Sequence, residues 1–139
     1  MPKREPIGTL FVSITRRLRA RIQQEIVAAG FEDFTVAHQA VFAVLPEEGA
    51  RIGELARSAQ LAKQTMTGMV ADLVERGYLQ RMADPTDGRA ALVRRTSRGN
   101  RVHQVAQQAL EEVEADWTSI LGPRNFEHLV RLLCHVQAL

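Results

Sequence analysis

The sequence predicts a mainly α-helical fold with one small β-hairpin. Three observations lead there. Apolar residues recur at helical spacing over most of the 139 residues. Two short strand-like segments, Tyr78–Met82 and Ala91–Arg94, flank a loop that holds Pro85 and Gly88. Just before them, two helical segments follow one another across a tight connection, the second longer than the first.

The elements follow in chain order. Ile7, Leu10, Phe11, Ile14, Leu18, Ile22 and Ile26 line one face of a long first helix, and Gly30 stops it. Thr35 is placed to cap a second helix carrying Val36, Ala40, Val41 and Val44, which ends at Pro46. Ile52, Leu55 and Ala56 mark a short third helix. Leu61 lies in a connection without a strong breaker, and Met66, Met69, Val70, Leu73 and Val74 then mark a longer helix ended by Gly77. This pair is a helix-turn-helix pattern. A hairpin directly after it is a wing. Thr96 or Ser97 caps the next helix, whose apolar positions run from Val102 to Ile120. Gly122-Pro123 ends it and opens the last helix, lined by Phe126, Leu129, Val130, Leu133 and Val136.

The formal net charge is only +2, but residues 51–101 hold ten Lys/Arg against five Asp/Glu. Residues 1–50 balance at six of each, and residues 102–139 hold two basic against five acidic. A basic middle suits a polyanionic partner, and equally a solvated basic surface. Membrane insertion is not expected, since no apolar run approaches the ~18 residues that spanning needs. The opening "MPKREPIGTL" has no long apolar stretch behind it, unlike a secretory signal. One cysteine, Cys134, cannot form an internal disulfide. A cytoplasmic protein is expected.

The polar face of the longer helix in the pair carries Lys63, Gln64, Thr67 and Ala71, with Gly68 among them. Such side chains are short or hydrogen-bonding, as a helix entering a DNA groove requires. Arg89 sits at the hairpin tip, suited to a narrow minor groove where negative potential concentrates. Asp84 or Asp87 is placed to hold its guanidinium in fork geometry. The bland alternative is a solvent-exposed Asp–Arg pair that only helps the turn. Arg94, Arg95, Arg98 and Arg101 crowd the return strand and the next helix, and some of them are expected on phosphates.

No metal site is expected within the chain. None of His38, His103, His128 and His135 has another at the i, i+3 or i+4 spacing that sets two ligands on one helical face. No catalytic constellation or phosphate loop is legible, so an enzyme is not expected, and no cofactor is implied. Cys134 reads as an ordinary thiol rather than an oxidant sensor.

These residues give the chain its resemblance to the multiple-antibiotic-resistance regulator (MarR) family. The strongest part is "LAKQTMTGMVADLVERGYLQRMADPTDGRAALVRRTSRG", residues 61–99, and the similarity runs from about Ile7 to the C-terminus. The wing motif D-x-x-D-x-R is here Asp84, Asp87 and Arg89, followed by Thr96 and Gly99 opening the next helix.

The resemblance implies one MarR-like domain over 1–139. A winged helix-turn-helix lobe spans 35–99, and a helical dimerisation region comprises 1–30 and 100–139. It implies a homodimer that binds palindromic double-stranded DNA, usually to repress. It maps the recognition surface to Lys63, Gln64, Thr65, Thr67 and Gly68, and the minor-groove arginine to Arg89. Arg94 joins them as a DNA-binding residue.

Two departures stand out. Gly68 replaces a larger polar or basic side chain, which removes one contact. Arg95 takes a position usually apolar, which changes the packing of the second wing strand or adds charge near DNA. In many relatives a small anionic or phenolic effector releases DNA. Phe11, Ile14, Arg17, Phe42 and Trp117 are candidates to line its pocket here, or to be plain core. The expected function is therefore a sequence-specific DNA-binding transcriptional regulator, a repressor released by a small molecule. The alternative is a winged-helix protein–protein adaptor without DNA readout.

Overall fold

The computed structural model describes residues 3–139. Met1 and Pro2, the start of the expected terminal region 1–30, lie outside the described residues. The order is α1 (Ile7–Ala28), α2 (Gln39–Val44), α3 (Ile52–Ala59), α4 (Lys63–Glu75), β1 (Leu79–Ala83), β2 (Ala91–Arg95), α5 (Ser97–Leu121) and α6 (Pro123–Gln137). The mainly helical fold with a single hairpin wing is as the sequence predicts.

The core sits where α2, α3, α4 and the base of the hairpin meet the far half of α1. Ile26, Val41, Leu55, Met66, Val70, Leu73, Val93 and Val102 are fully buried there. Phe34, in the α1–α2 connection, stands edge-on to Phe42 at 5.0 Å, Tyr78 at 5.3 Å and His38 at 5.4 Å. Edge-to-face pairing adds to the burial of these large rings.

Three local departures from the sequence reading have physical reasons. Thr35 does not cap α2. Residues 35–40 first make i→i+3 turns, and Thr35 N–H donates to His38 Nδ1 (2.9 Å), so α2 starts at Gln39. The turn between α3 and α4 needs no glycine, because Gln60 adopts the left-handed conformation at φ 54°. The second strand runs one residue further, to Arg95, which pairs with Leu79.

Two glycines are demanded by close approach. At Gly49 (φ 91°) a Cβ would stand 2.7 Å from the Val93 carbonyl oxygen, and Ala50 pairs with Val93 in a short bridge. At Gly99 a Cβ would stand 2.1 Å from the Tyr78 carbonyl oxygen. The wing is thus seated against the α2–α3 connection at one edge and against the start of α5 at the other. Thr96 caps α5, accepting from Gly99 N–H at 3.1 Å while its hydroxyl donates to the Gly77 carbonyl at 2.6 Å.

From the wing, α5 runs back to pack along α1, and α6 folds against the end of α5. No residue of α6 is buried. None of the helices among the described residues is long and apolar enough to cross a membrane.

Candidate nucleic-acid interface

Helix α4 is fixed from within. Met66, Val70 and Leu73 are buried, and at about 100° per residue Gln64, Gly68 and Ala71 fall on the opposite side. Lys63, Gln64, Thr65, Thr67 and Gly68 are all exposed on the first two turns of α4, spread over a little more than half of its circumference. The Thr67 hydroxyl donates to the Lys63 carbonyl at 2.8 Å. Its proton is therefore engaged, and its oxygen is left to accept, as from a base amino group. The N-cap, Ala62, offers no side-chain cap, which leaves the first N–H groups of α4 open to an anion.

The start of α4 faces the wing across a cleft of about 390 Å³. Lys63 and Thr67 line it from α4, Arg51, Gly53 and Arg57 from α3 and its approach, and Ala91 from β2. Three cations, with the single carboxylate of Glu54, therefore bound one groove beside the exposed face of the helix. Arg94 is exposed on β2, opposite Gln80.

Arg89 is exposed at the wing tip, and among the described residues its guanidinium has no hydrogen-bond or ion-pair partner. This corrects the expectation that Asp84 or Asp87 grips it. Asp87 touches Arg89 only through the backbone, where Oδ1 accepts the Arg89 N–H at 3.1 Å. Asp84 turns the other way. Its Oδ2 accepts from Arg51 Nε at 3.0 Å and Nη2 at 2.7 Å. Its Oδ1 accepts from the Thr86 N–H at 2.9 Å and hydroxyl at 2.8 Å. The Thr86 N–H, the Arg51 guanidinium and the Thr86 hydroxyl together hold the Asp84 carboxyl down to about 2. Asp84 and Asp87 build the loop that presents Arg89 and leave its side chain free.

The basic run after the wing splits by environment. Arg95 is buried, with Nη1 donating to the Leu45 carbonyl at 3.1 Å and Nε to Asn100 Oδ1 at 3.1 Å. It fills an inward strand position with its stem and satisfies its head internally, so it adds no charge to the exposed face of the wing. Arg98 lies 4.4 Å over the Tyr78 ring and reaches Asp33 Oδ1 at 2.9 Å and the Tyr78 hydroxyl at 3.0 Å. The Tyr78 hydroxyl also donates to Asp33, and that hydrogen bond leads the causes holding the Asp33 carboxyl below the usual carboxylate range. Arg94 and Arg101 remain exposed.

Arg51 is the residue that sequence reasoning missed. It lies 33 positions before Asp84, and only the pairing of Ala50 with Val93 brings the two together. The proposed effector-pocket residues do not converge either. Phe42 lines one cavity, Ile14, Arg17 and Trp117 another, and Phe11 a third. Cys134 is exposed on α6. Among the described residues no three His, Cys, Asp or Glu side chains cluster as metal ligands.

Residues 44–91 match the model of the MarR family. No curated sequence resembles the chain at significant similarity. Solved structures share its architecture nearly end to end. A probable transcriptional regulator from Pseudomonas aeruginosa is similar at 27% identity and a TM-score of 0.72, over 95% of this chain and 97% of that one. MarR from E. coli, in its apo form, is similar at 18% identity and a TM-score of 0.73, over 96% and 98%. CouR from Rhodococcus jostii RHA1, solved with p-coumaroyl-CoA, is similar at 21% identity and a TM-score of 0.74, over 95% and 92%. Residues 44–91, over the helix-turn-helix and most of the wing, are thus similar to the MarR family, and nearly the whole chain shares the fold of solved transcriptional regulators.

Proposed function

We propose that this chain is a cytoplasmic, homodimeric transcriptional regulator that binds a palindromic DNA operator sequence-specifically and represses until a small molecule releases it. The observation that carries the reading is the pairing of two exposed features on one side of the lobe. A recognition helix with a polar outer face stands across a basic cleft from a wing whose arginine is unpartnered among the described residues. Gln64, Thr65 and Thr67 face base edges in the major groove, with Gly68 allowing close approach. Lys63 and Arg94 meet phosphates, and Arg89 enters the minor groove.

The dimer joins residues 1–30 and 100–139 of two copies around the lobes formed by residues 35–99. Ile7, Leu10, Phe11 and Ile14 of α1 are exposed, as are Leu129, Val130, Leu133 and Val136 of α6. Apolar stripes of this extent call for a partner. An effector site is supported by a cavity of about 310 Å³ between α1, α2 and α5, lined by Phe34, Phe42, Gln39 and His103 among others. Burial, with the Arg95 charge beside it, holds the His103 imidazole below its ordinary value and favours its neutral form.

The test is selection of sites from a random duplex pool with the purified protein near physiological salt. A two-fold symmetric motif with half-sites about one helical turn apart is expected. Recovery of no motif, with or without candidate small molecules, would instead favour the adaptor reading.

A further inference from the structure

We infer that Arg51 is a positioning residue for DNA binding. It acts through Asp84 to hold the wing tip at a fixed angle to the recognition helix, and does not itself contact DNA. The inference rests on the DNA-binding reading above.

The hairpin is anchored unevenly. Its base is secured by the Ala50–Val93 bridge and by the seat of Gly99 against Tyr78. Beyond that, the two strands pair only with each other. The tip, residues 84–90, closes on itself: Asp84 N–H donates to the Ala90 carbonyl, Asp87 N–H to the Asp84 carbonyl, and Ala90 N–H to the Asp87 carbonyl. Such bonds shape the tip without fixing where it points.

Among the described residues, one side chain makes hydrogen bonds from the helix-turn-helix to that tip. Arg51, the N-cap of α3, sends Nε and Nη2 to one oxygen of the buried Asp84, while Nη2 also lies 3.9 Å from Asp87 Oδ2. The other Asp84 oxygen organises Thr86. A single carboxylate thus joins the tip's internal geometry to the body of the lobe. Arg89 is five residues further on, carried by the same loop. With Nε and Nη2 committed to the carboxylate, the arginine's fork is turned toward the wing rather than presented whole to a phosphate.

A phosphate-binding Arg51 would behave differently under substitution, and that separates the two roles. Lysine keeps the charge and serves a phosphate, but cannot reproduce the paired N–H geometry. Asp84→Asn leaves Arg51 in place and removes a negative charge, which would leave a phosphate contact intact or strengthen it.

The experiment measures affinity for the selected operator in Arg51→Ala, Arg51→Lys and Asp84→Asn, each alone and combined with Arg89→Ala. Amide hydrogen exchange over residues 84–90 is followed in the free proteins. All three single variants are expected to lose affinity roughly tenfold, within the range for coupled neighbours. In the Arg89→Ala background each is expected to add less than about twofold, because the residue they position is already gone. Exchange at Thr86 and Asp87 is expected to rise. Asp84→Asn keeps the test decisive if Arg51→Ala folds poorly. Retained affinity in Arg51→Lys, unchanged affinity in Asp84→Asn, or losses that multiply with Arg89→Ala would each overturn the inference. If the wild type selects no DNA, the functional reading fails on its own, and unchanged exchange at the tip would then overturn the clamp as well.

Discussion

Of four arginines in the basic middle of the chain, Arg51, Arg95 and Arg98 have side-chain partners and Arg89 has none among the described residues. Composition cannot make that distinction. It depends on which carboxylates and carbonyls the fold brings near each guanidinium. The sequence makes Arg89 legible because a tip position in a short loop is exposed whatever surrounds it. Arg51 is illegible because its partner is remote in sequence, and Arg95 because an arginine in a strand does not reveal which way it points. Arg89→Ala is expected to weaken operator binding by about 1–3 kcal/mol, read by equilibrium titration. Gly68 poses the converse case. A Cβ there would meet nothing within 4 Å, so the protein's own packing does not require glycine. Gly68→Ala should therefore stabilise the free protein by about 0.5–1 kcal/mol in denaturant melts. If DNA approaches the bare backbone at that point, the same variant will bind the operator less tightly.

The elements were largely readable because their apolar spacing is regular. The 3.6-residue period in α1, α4, α5 and α6 survives folding, and the loop between the strands carries ordinary turn residues. The boundaries were less readable where a neighbour decides them. Gln60 takes a left-handed conformation that glycine or asparagine usually marks, and the start of α2 is set by turns around His38. Gly99 is the clearest case of an element placed by a single absence. It lets the first turn of α5 lie against the Tyr78 carbonyl, while Thr96 caps that same turn. Gly99→Ala is expected to destabilise the protein by about 1–3 kcal/mol or more, since the Cβ meets rigid backbone rather than a movable side chain. A lower denaturation midpoint with the wing and α5 loosened together in hydrogen exchange is the expected signature.

For the whole molecule, one chain leaves much of its apolar surface unused. Leu129, Ile14 and Ile120 border a cavity of about 470 Å³ that opens on the outer side of α1, α5 and α6. In the proposed dimer a second copy covers this face. Leu129→Asp with Leu133→Asp is expected to halve the mass seen by sedimentation while the wing lobe keeps its helical signal. Operator affinity should fall by about a hundredfold, because two half-sites are then no longer bound through one body. This is also the scale at which the sequence says least. Amphipathic helices announce that something must cover them, but not whether the cover is the same chain or another.

Helix α5 joins the two ends of this arrangement. It begins next to the wing at Ser97 and continues unbroken to Leu121, where α6 turns back. Its 25 residues span about 38 Å at 1.5 Å each. It therefore works as a lever arm. A tilt of about 5° at the α6 end displaces the wing end by about 3 Å, close to the length of a hydrogen bond. Geometry alone converts a small reseating far from the winged-helix lobe into a movement large enough to make or break a contact there.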